Sequence, residues 1–223
     1  LGWHTLVRFW FDTMNISFCI GNGESRRSFD LERVKPYGKM YGANAIHRDT
    51  TVDHLVCCDQ RMVKEAMFNN YAGPIYTRDR WYKQFAFWPN VKCVPELPYE
   101  GDKRQDDPFH WGTGQFAGLV ALSFKPKAIF LVGMDLYGLG TERKPEHVNN
   151  IYKGSKGYTY IKRPVDPSYW IYQFNKLFEN SECRWIVVNE EGWKMPEEWK
   201  ANKNVFQDTY EGLAKFVNKQ LTK

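Results

Sequence analysis

Met14-Asn15-Ile16-Ser17-Phe18-Cys19-Ile20-Gly21-Asn22-Gly23-Glu24-Ser25 is the stretch on which the fold turns: a short, mostly apolar run that ends in a glycine bend. A strand buried on both faces reads as such a run, which is the habit of parallel sheets. Gly21 and Gly23 permit positive φ and close backbone approach, and a helix starting beyond them would offer free N–H groups to an anion. The bend therefore predicts a Rossmann-like strand and turn that hold a nucleotide phosphate through Gly21, Asn22, Gly23 and Ser25.

Working outward, similar runs recur at 39–45, 54–58, 74–77, 91–94, 128–132 and 185–188. Helical spacing fills 60–70, 113–124, 168–180 and 207–219. Because a parallel neighbour requires a crossover of about a dozen residues or more, this alternation predicts an α/β fold. The expected form is a mostly parallel, doubly wound sheet with helices on both faces. Prolines and glycines make 96–111 a surface loop, and 139–167, also without clear periodicity, a lid-like insertion.

With 223 residues, one such domain over 14–223 is expected and a second would be cramped. Residues 1–13 precede Met14 without a cleavage site and read as a non-native leader, not a signal peptide. Nine Trp and thirteen Tyr exceed what a core alone usually needs, so some rings are expected to line a groove or interface. The net charge of +5 is spread over 31 basic and 26 acidic side chains, so nucleic acid is not indicated. Cys19, Cys57, Cys58, Cys93 and Cys183 have no zinc or redox spacing, which predicts free thiols in a reducing, cytoplasmic compartment. No run approaches the ~20 apolar residues of a membrane helix, and no membrane partner is expected. A homo-oligomer is left open.

Ligands of open α/β sheets bind beyond the carboxyl ends of the strands, near the point where strand order reverses. The residues that follow the strands are therefore the candidates: the Gly21 bend, Asn44, Asp59, and Asp135 within Gly133-Met134-Asp135-Leu136-Tyr137. Thr113 and Gly114 open a small-residue helix whose first-turn amides make a second anion site. Each also has a plainer reading: a tight turn for the glycines, a cap for Asp59 and Asp135, and a self-bonded turn for Asn44.

Taken in order, the strand with GNG-x-S, the Asn after strand two, the T-G at a helix start and the strand ending G-M-D-L-Y resemble the bacterial sialyltransferases of glycosyltransferase family 42. They also resemble a wider group that includes the archaeal-type 6-hydroxymethyl-pterin diphosphokinases. The resemblance runs over about residues 16–137, with a looser echo through 149–178. It implies a donor nucleotide across the strand ends, facing Gly21, Asn22, Gly23, Ser25 and Asn44. It also implies phenols that donate to the departing phosphate, matched to Tyr137 and Tyr152, and a histidine base, for which His147 is the one in the right region. Asp59 stands where that family has a second Asn. Its charge would need a compensating cation, or the ligand differs.

The function expected is that of a nucleotide-dependent transferase, foremost a sialyltransferase-like glycosyltransferase that takes a nucleotide-sugar and an acceptor. No tightly bound cofactor is called for. Two alternatives remain at this stage: a diphosphokinase-like transferase in which Asp59 and Asp135 hold Mg²⁺, and a catalytically silent nucleotide-binding protein.

Overall fold

The computed structural model of the protein describes residues 15–100, 111–136, 149–159 and 166–221. The expected leader, the 101–110 part of the surface loop and most of the lid-like insertion lie outside these residues. Eight strands form one sheet in the order β5-β4-β3-β2-β1-β6-β7-β8. They are β1 (Ile16–Ile20), β2 (Lys39–Ala43), β3 (His54–Val56), β4 (Ile75–Thr77), β5 (Val91–Cys93), β6 (Ala128–Val132), β7 (Arg184–Asn189) and β8 (Val205–Thr209). Every neighbouring pair is parallel.

Side chains alternate across β1: Phe18 and Ile20 enter one core with Phe130 and Val132, whereas Cys19 enters the other with Leu131. Helices α1 (Gln60–Phe68), α2 (Asp79–Phe85) and α6 (Tyr210–Leu221) cover the first face through Met62, Val63, Phe85, Leu213 and Val217. Helices α3 (Thr113–Ser123), α4 (Ser168–Glu179) and α5 (Glu197–Lys200) cover the second through Phe116, Phe174 and Trp199. Both faces of the sheet are thus buried, which is why its strands read as nearly continuous apolar runs.

The expected α/β architecture holds, with differences. Strand β8 falls partly where the last helix was expected, and α2 falls where none was. Part of the tryptophan excess goes into the core. Trp111, Trp185 and Trp199 are fully buried and Trp193 nearly so, and these rings build the core, whereas Trp81, Trp88 and Trp170 are half-buried. Three of the core rings find polar partners for the indole N–H: Trp185 on Ser181 Oγ, Trp193 on the Asp135 carbonyl and Trp199 on the Ile171 carbonyl. All five cysteines are free thiols, and four of them are buried. Among the described residues no helix is long and apolar enough to cross a membrane.

Candidate functional site

Strand order reverses between β1 and β6, so the crevice expected of an open α/β sheet lies at their carboxyl ends. Ile20 pairs with Gly42 on one side and Val132 on the other. Two residues further on, Asn22 and Asn44 therefore leave adjacent tips at the same level, with Gly133 beside the bend.

The bend is held from within. Gly21 N donates to Val132 O at 2.8 Å and Gly23 N to Gly133 O at 2.8 Å. Glu24 N donates to Asn149 Oδ1 at 2.7 Å, and Ser25 N to Asp135 Oδ2 at 2.9 Å. A cup of these four amides for phosphate is thus corrected, because each already has an acceptor inside the protein. Gly23 is glycine for a different reason: a Cβ there would overlap the Asp135 carboxylate.

Asp135 and Ser25 likewise face inward, each 3% exposed. The Ser25 hydroxyl donates to Asp135 and lies 2.8 Å from the Tyr210 hydroxyl, which also accepts from Gly133 N at 3.1 Å. Burial holds the Asp135 carboxyl above the usual carboxylate range, and its bonds to Ser25 only partly offset this. Asp135 thus braces the bend and is not placed to hold a ligand or Mg²⁺.

Below the bend sits Arg26, which sequence reasoning missed. Its guanidinium is buried, donating through Nε to Gly21 O at 2.7 Å and through one terminal nitrogen to Asp49 at 3.1 Å and the Tyr152 hydroxyl at 3.0 Å. Tyr152 in turn donates to Asp49 at 2.6 Å. Burial, assisted by Asp49, pushes this phenol well above its ordinary pKa. The expectation that Tyr152 donates to a departing phosphate is therefore corrected: its proton is held by Asp49. A cavity of about 410 Å³ opens beside this triad. Tyr158 is the phenol that approaches the bend, with its hydroxyl 3.5 Å from Asn22 Nδ2.

Among the described residues, Asn22, Asn44, Asp59 and the start of α3 bring polar groups to the strand tips. The Asn22 side-chain oxygen is buried without a hydrogen-bond partner, although its backbone carbonyl accepts from Ile151 N at 3.0 Å. Asn44 has a left-handed backbone, φ 51°. Its Oδ1 accepts from Thr113 Oγ1 at 3.3 Å. That bond brings the tip of β2 to the first turn of α3, which no side chain caps. Gly114 follows in the same turn. Next to Thr113, burial pushes the Cys58 thiol up to about 11, an effect that Arg78 and Thr113 moderate. Asp59 precedes α1 without capping it, and the cation near it is Arg61, at 3.9 Å.

Tyr137 and His147 lie outside the described residues. Of the described histidines, His47 has a side chain only 2% exposed, with Nδ1 hydrogen-bonded to Asn44 O and Glu65 Oε1 3.4 Å from Nε2, and His54 begins β3 at the opposite end of the sheet. Neither supplies a base to the crevice.

No protein-family model matches the chain, and no curated protein matches it in sequence. Solved structures do match. The monofunctional alpha-2,3-sialyltransferase Cst-I of Campylobacter jejuni is 14% identical, with 93% of this chain and 94% of that one covered at a TM-score of 0.56. The C. jejuni sialyltransferase CstII, in complex with cytidine-5'-monophosphate, is 13% identical over 81% of each chain, at a TM-score of 0.49. Nothing in these matches supports the diphosphokinase-like alternative. At such identities the likeness concerns the fold, and it is the fold of Cst-I that this chain resembles along nearly its whole length.

Proposed function

We propose that the protein is a glycosyltransferase that uses a nucleotide-activated sugar, bound across the tips of β1, β2 and β3 with its phosphate toward the first turn of α3. The observation that carries this reading is the meeting of Asn44 with Thr113 at an uncapped helix start. The first turn of a helix leaves N–H groups without intrahelical partners and carries a partial positive charge, so an anion is its natural complement. A non-glycine residue in the left-handed region costs about 1–2 kcal/mol, and Asn bears it best because its short amide bonds locally. At Asn44 that backbone directs the amide to Thr113. The buried, unpartnered Asn22 oxygen on the next tip supplies an acceptor for a ligand hydroxyl or amine.

The fold shared with the sialyltransferase Cst-I favours a sugar as the group transferred. Tyr137 is the phenol that donates to the departing phosphate and His147 the base for the acceptor hydroxyl, with Tyr158 taking the place expected for Tyr152.

Calorimetric titration with CMP, UDP and GDP tests the site. Asn44→Gly keeps the left-handed backbone while deleting the amide, so its expected effect is a roughly tenfold loss of nucleotide affinity without loss of folding. Equal affinity in the variant, or no nucleotide binding by the native protein, would overturn the reading. Tyr137→Phe is expected to slow donor hydrolysis by about 100-fold or more.

A further inference from the structure

The short 3-10 helix Asn44–Arg48 carries two residues with separate tasks. Asn44, at its start, meets Thr113. Arg48, at its end, reaches the segment 149–159. Its Nε and one terminal nitrogen donate to the two carboxylate oxygens of Glu65 on α1, at 2.6 and 2.7 Å. The side chains are only 21% and 11% exposed, and this paired geometry fixes the plane of the guanidinium. From that plane the terminal nitrogens donate to Ser155 Oγ at 2.8 Å and to the Lys156 carbonyl at 2.6 Å.

These bonds hold one end of a turn whose other end is held at the glycine bend. There, Ile151 N donates to Asn22 O at 3.0 Å and Asn149 accepts from Glu24 N at 2.7 Å. Within the turn, Ser155 N donates to Tyr152 O at 2.9 Å and Tyr158 N to Ser155 O at 2.8 Å, so Ser155 and Tyr158 move together. The Tyr158 ring is buried, with the guanidinium of Arg48 5.8 Å from its centre and that of Arg61 5.9 Å. Its hydroxyl meets Asn22 Nδ2 at 3.5 Å, a contact too long to hold the ring by itself. The place of the ring beside the tip of β1 is thus set by the turn, and that of the turn by Arg48.

We propose that Arg48 is a positioning residue: its guanidinium, oriented by Glu65, fixes the turn at Ser155 and Lys156 and thereby the Tyr158 phenol at the crevice. The inference rests on the nucleotide-sugar reading above, in which Tyr158 donates to the departing phosphate. A bond of that kind strengthens as charge develops, so displacing the phenol slows the chemical step more than it weakens donor binding. A misplacement of about 1 Å costs up to about 100-fold in rate.

Hydrolysis of CMP-sialic acid, UDP-glucose and GDP-mannose identifies a donor, and a double-mutant cycle on it tests the inference. Arg48→Met keeps the stem and deletes all four hydrogen bonds. Its kcat is expected to fall by about tenfold or more, with KM within about threefold of native. Tyr158→Phe is expected to cost about 100-fold, and adding Arg48→Met to it less than about twofold more, because Arg48 acts through that hydroxyl. A merely structural contribution would add in full. Amide exchange in peptides spanning 150–158 should quicken about tenfold in Arg48→Met. Arg48→Lys keeps a cation beside Glu65 without the planar fork, so it should stay folded even if Arg48→Met does not, and still turn over slowly.

Native turnover in either Arg48 variant, losses that add in the double variant, or unchanged exchange would each overturn the inference. If the native protein hydrolyses none of the three donors, the glycosyltransferase reading falls and this inference with it. Native hydrolysis that Tyr158→Phe leaves intact overturns the inference alone.

Discussion

Replacing Tyr152 by Phe separates two roles for this phenol, a strut and a participant in chemistry. In the structure its hydroxyl donates to Asp49 at 2.6 Å and accepts from Arg26 at 3.0 Å. The ring stays buried in the variant, and the direct Arg26–Asp49 bond of 3.1 Å is untouched. Hydrogen bonds to charged groups contribute about 1.5–3 kcal/mol. Asp49 is 38% exposed, so water replaces its lost donor, and the lower end applies, about 1.5 kcal/mol. For a chain of this size that corresponds to a fall in melting temperature of about 3–6 °C. Equilibrium urea unfolding measures the loss, and donor hydrolysis under conditions where the variant is fully folded measures the chemistry. A strut predicts reduced stability with turnover within a few-fold of native. A fall in turnover of about 100-fold or more with unchanged stability would refute the reasoning, because a phenol aimed at developing phosphate charge has that signature.

The other expectations use the same two kinds of measurement. Gly23→Ala drives a methyl into the Asp135 carboxylate, and urea unfolding should show a loss of about 1–3 kcal/mol. Trp199→Ala empties a fully buried site, so a loss of about 3–5 kcal/mol is expected in the same assay. The pH dependence carries a definite sign at Asp135. Its folded-state pKa is raised by burial, so its contribution favours the folded state below its ordinary carboxylate value of 3.8 and is lost as pH rises through the raised value. Asp135→Asn should remove this descending component from the stability–pH curve, and a native curve with no such component would contradict the burial argument.

Most of the fold could be read from the chain because burial of the sheet on both faces leaves compact apolar runs. Ile16–Ile20 and Ala128–Val132 were expected at the bounds they have. Val205–Thr209 was not recognised as β8, since it is short, partly exposed and runs directly into Tyr210 of α6, so its residues blend into a helical period. Asp79–Phe85 escaped for a related reason, being only 7 residues long with a single buried side chain. The tryptophan excess could not be divided between core and surface from the sequence, because a ring count does not say where the rings go. Trp111, Trp185 and Trp199, fully buried, thicken the core, while Trp81, Trp88 and Trp170 stay half-buried.

The site is a harder case, because what holds a turn in shape need not be near it in sequence. The glycine bend was visible, and so was the convergence of tips bearing Asn22, Asn44 and Asp59. Its supports were hidden: the Tyr210 hydroxyl lies 185 residues along the chain from Ser25, and Asn149, which accepts from Glu24 N, lies 125 away. A motif of small and polar residues leaves open whether its amides face a ligand or the protein, and four of them here face the protein. Under the proposed function, that inward bonding moves recognition from the backbone to side chains, among them Asn22, Asn44 and Thr113. Side chains are the part of a nucleotide site that substitution can retune. A bend locked by Asp135, Arg26 and Tyr210 therefore keeps its shape, and under the proposed function the choice of ligand falls to the residues on the strand tips.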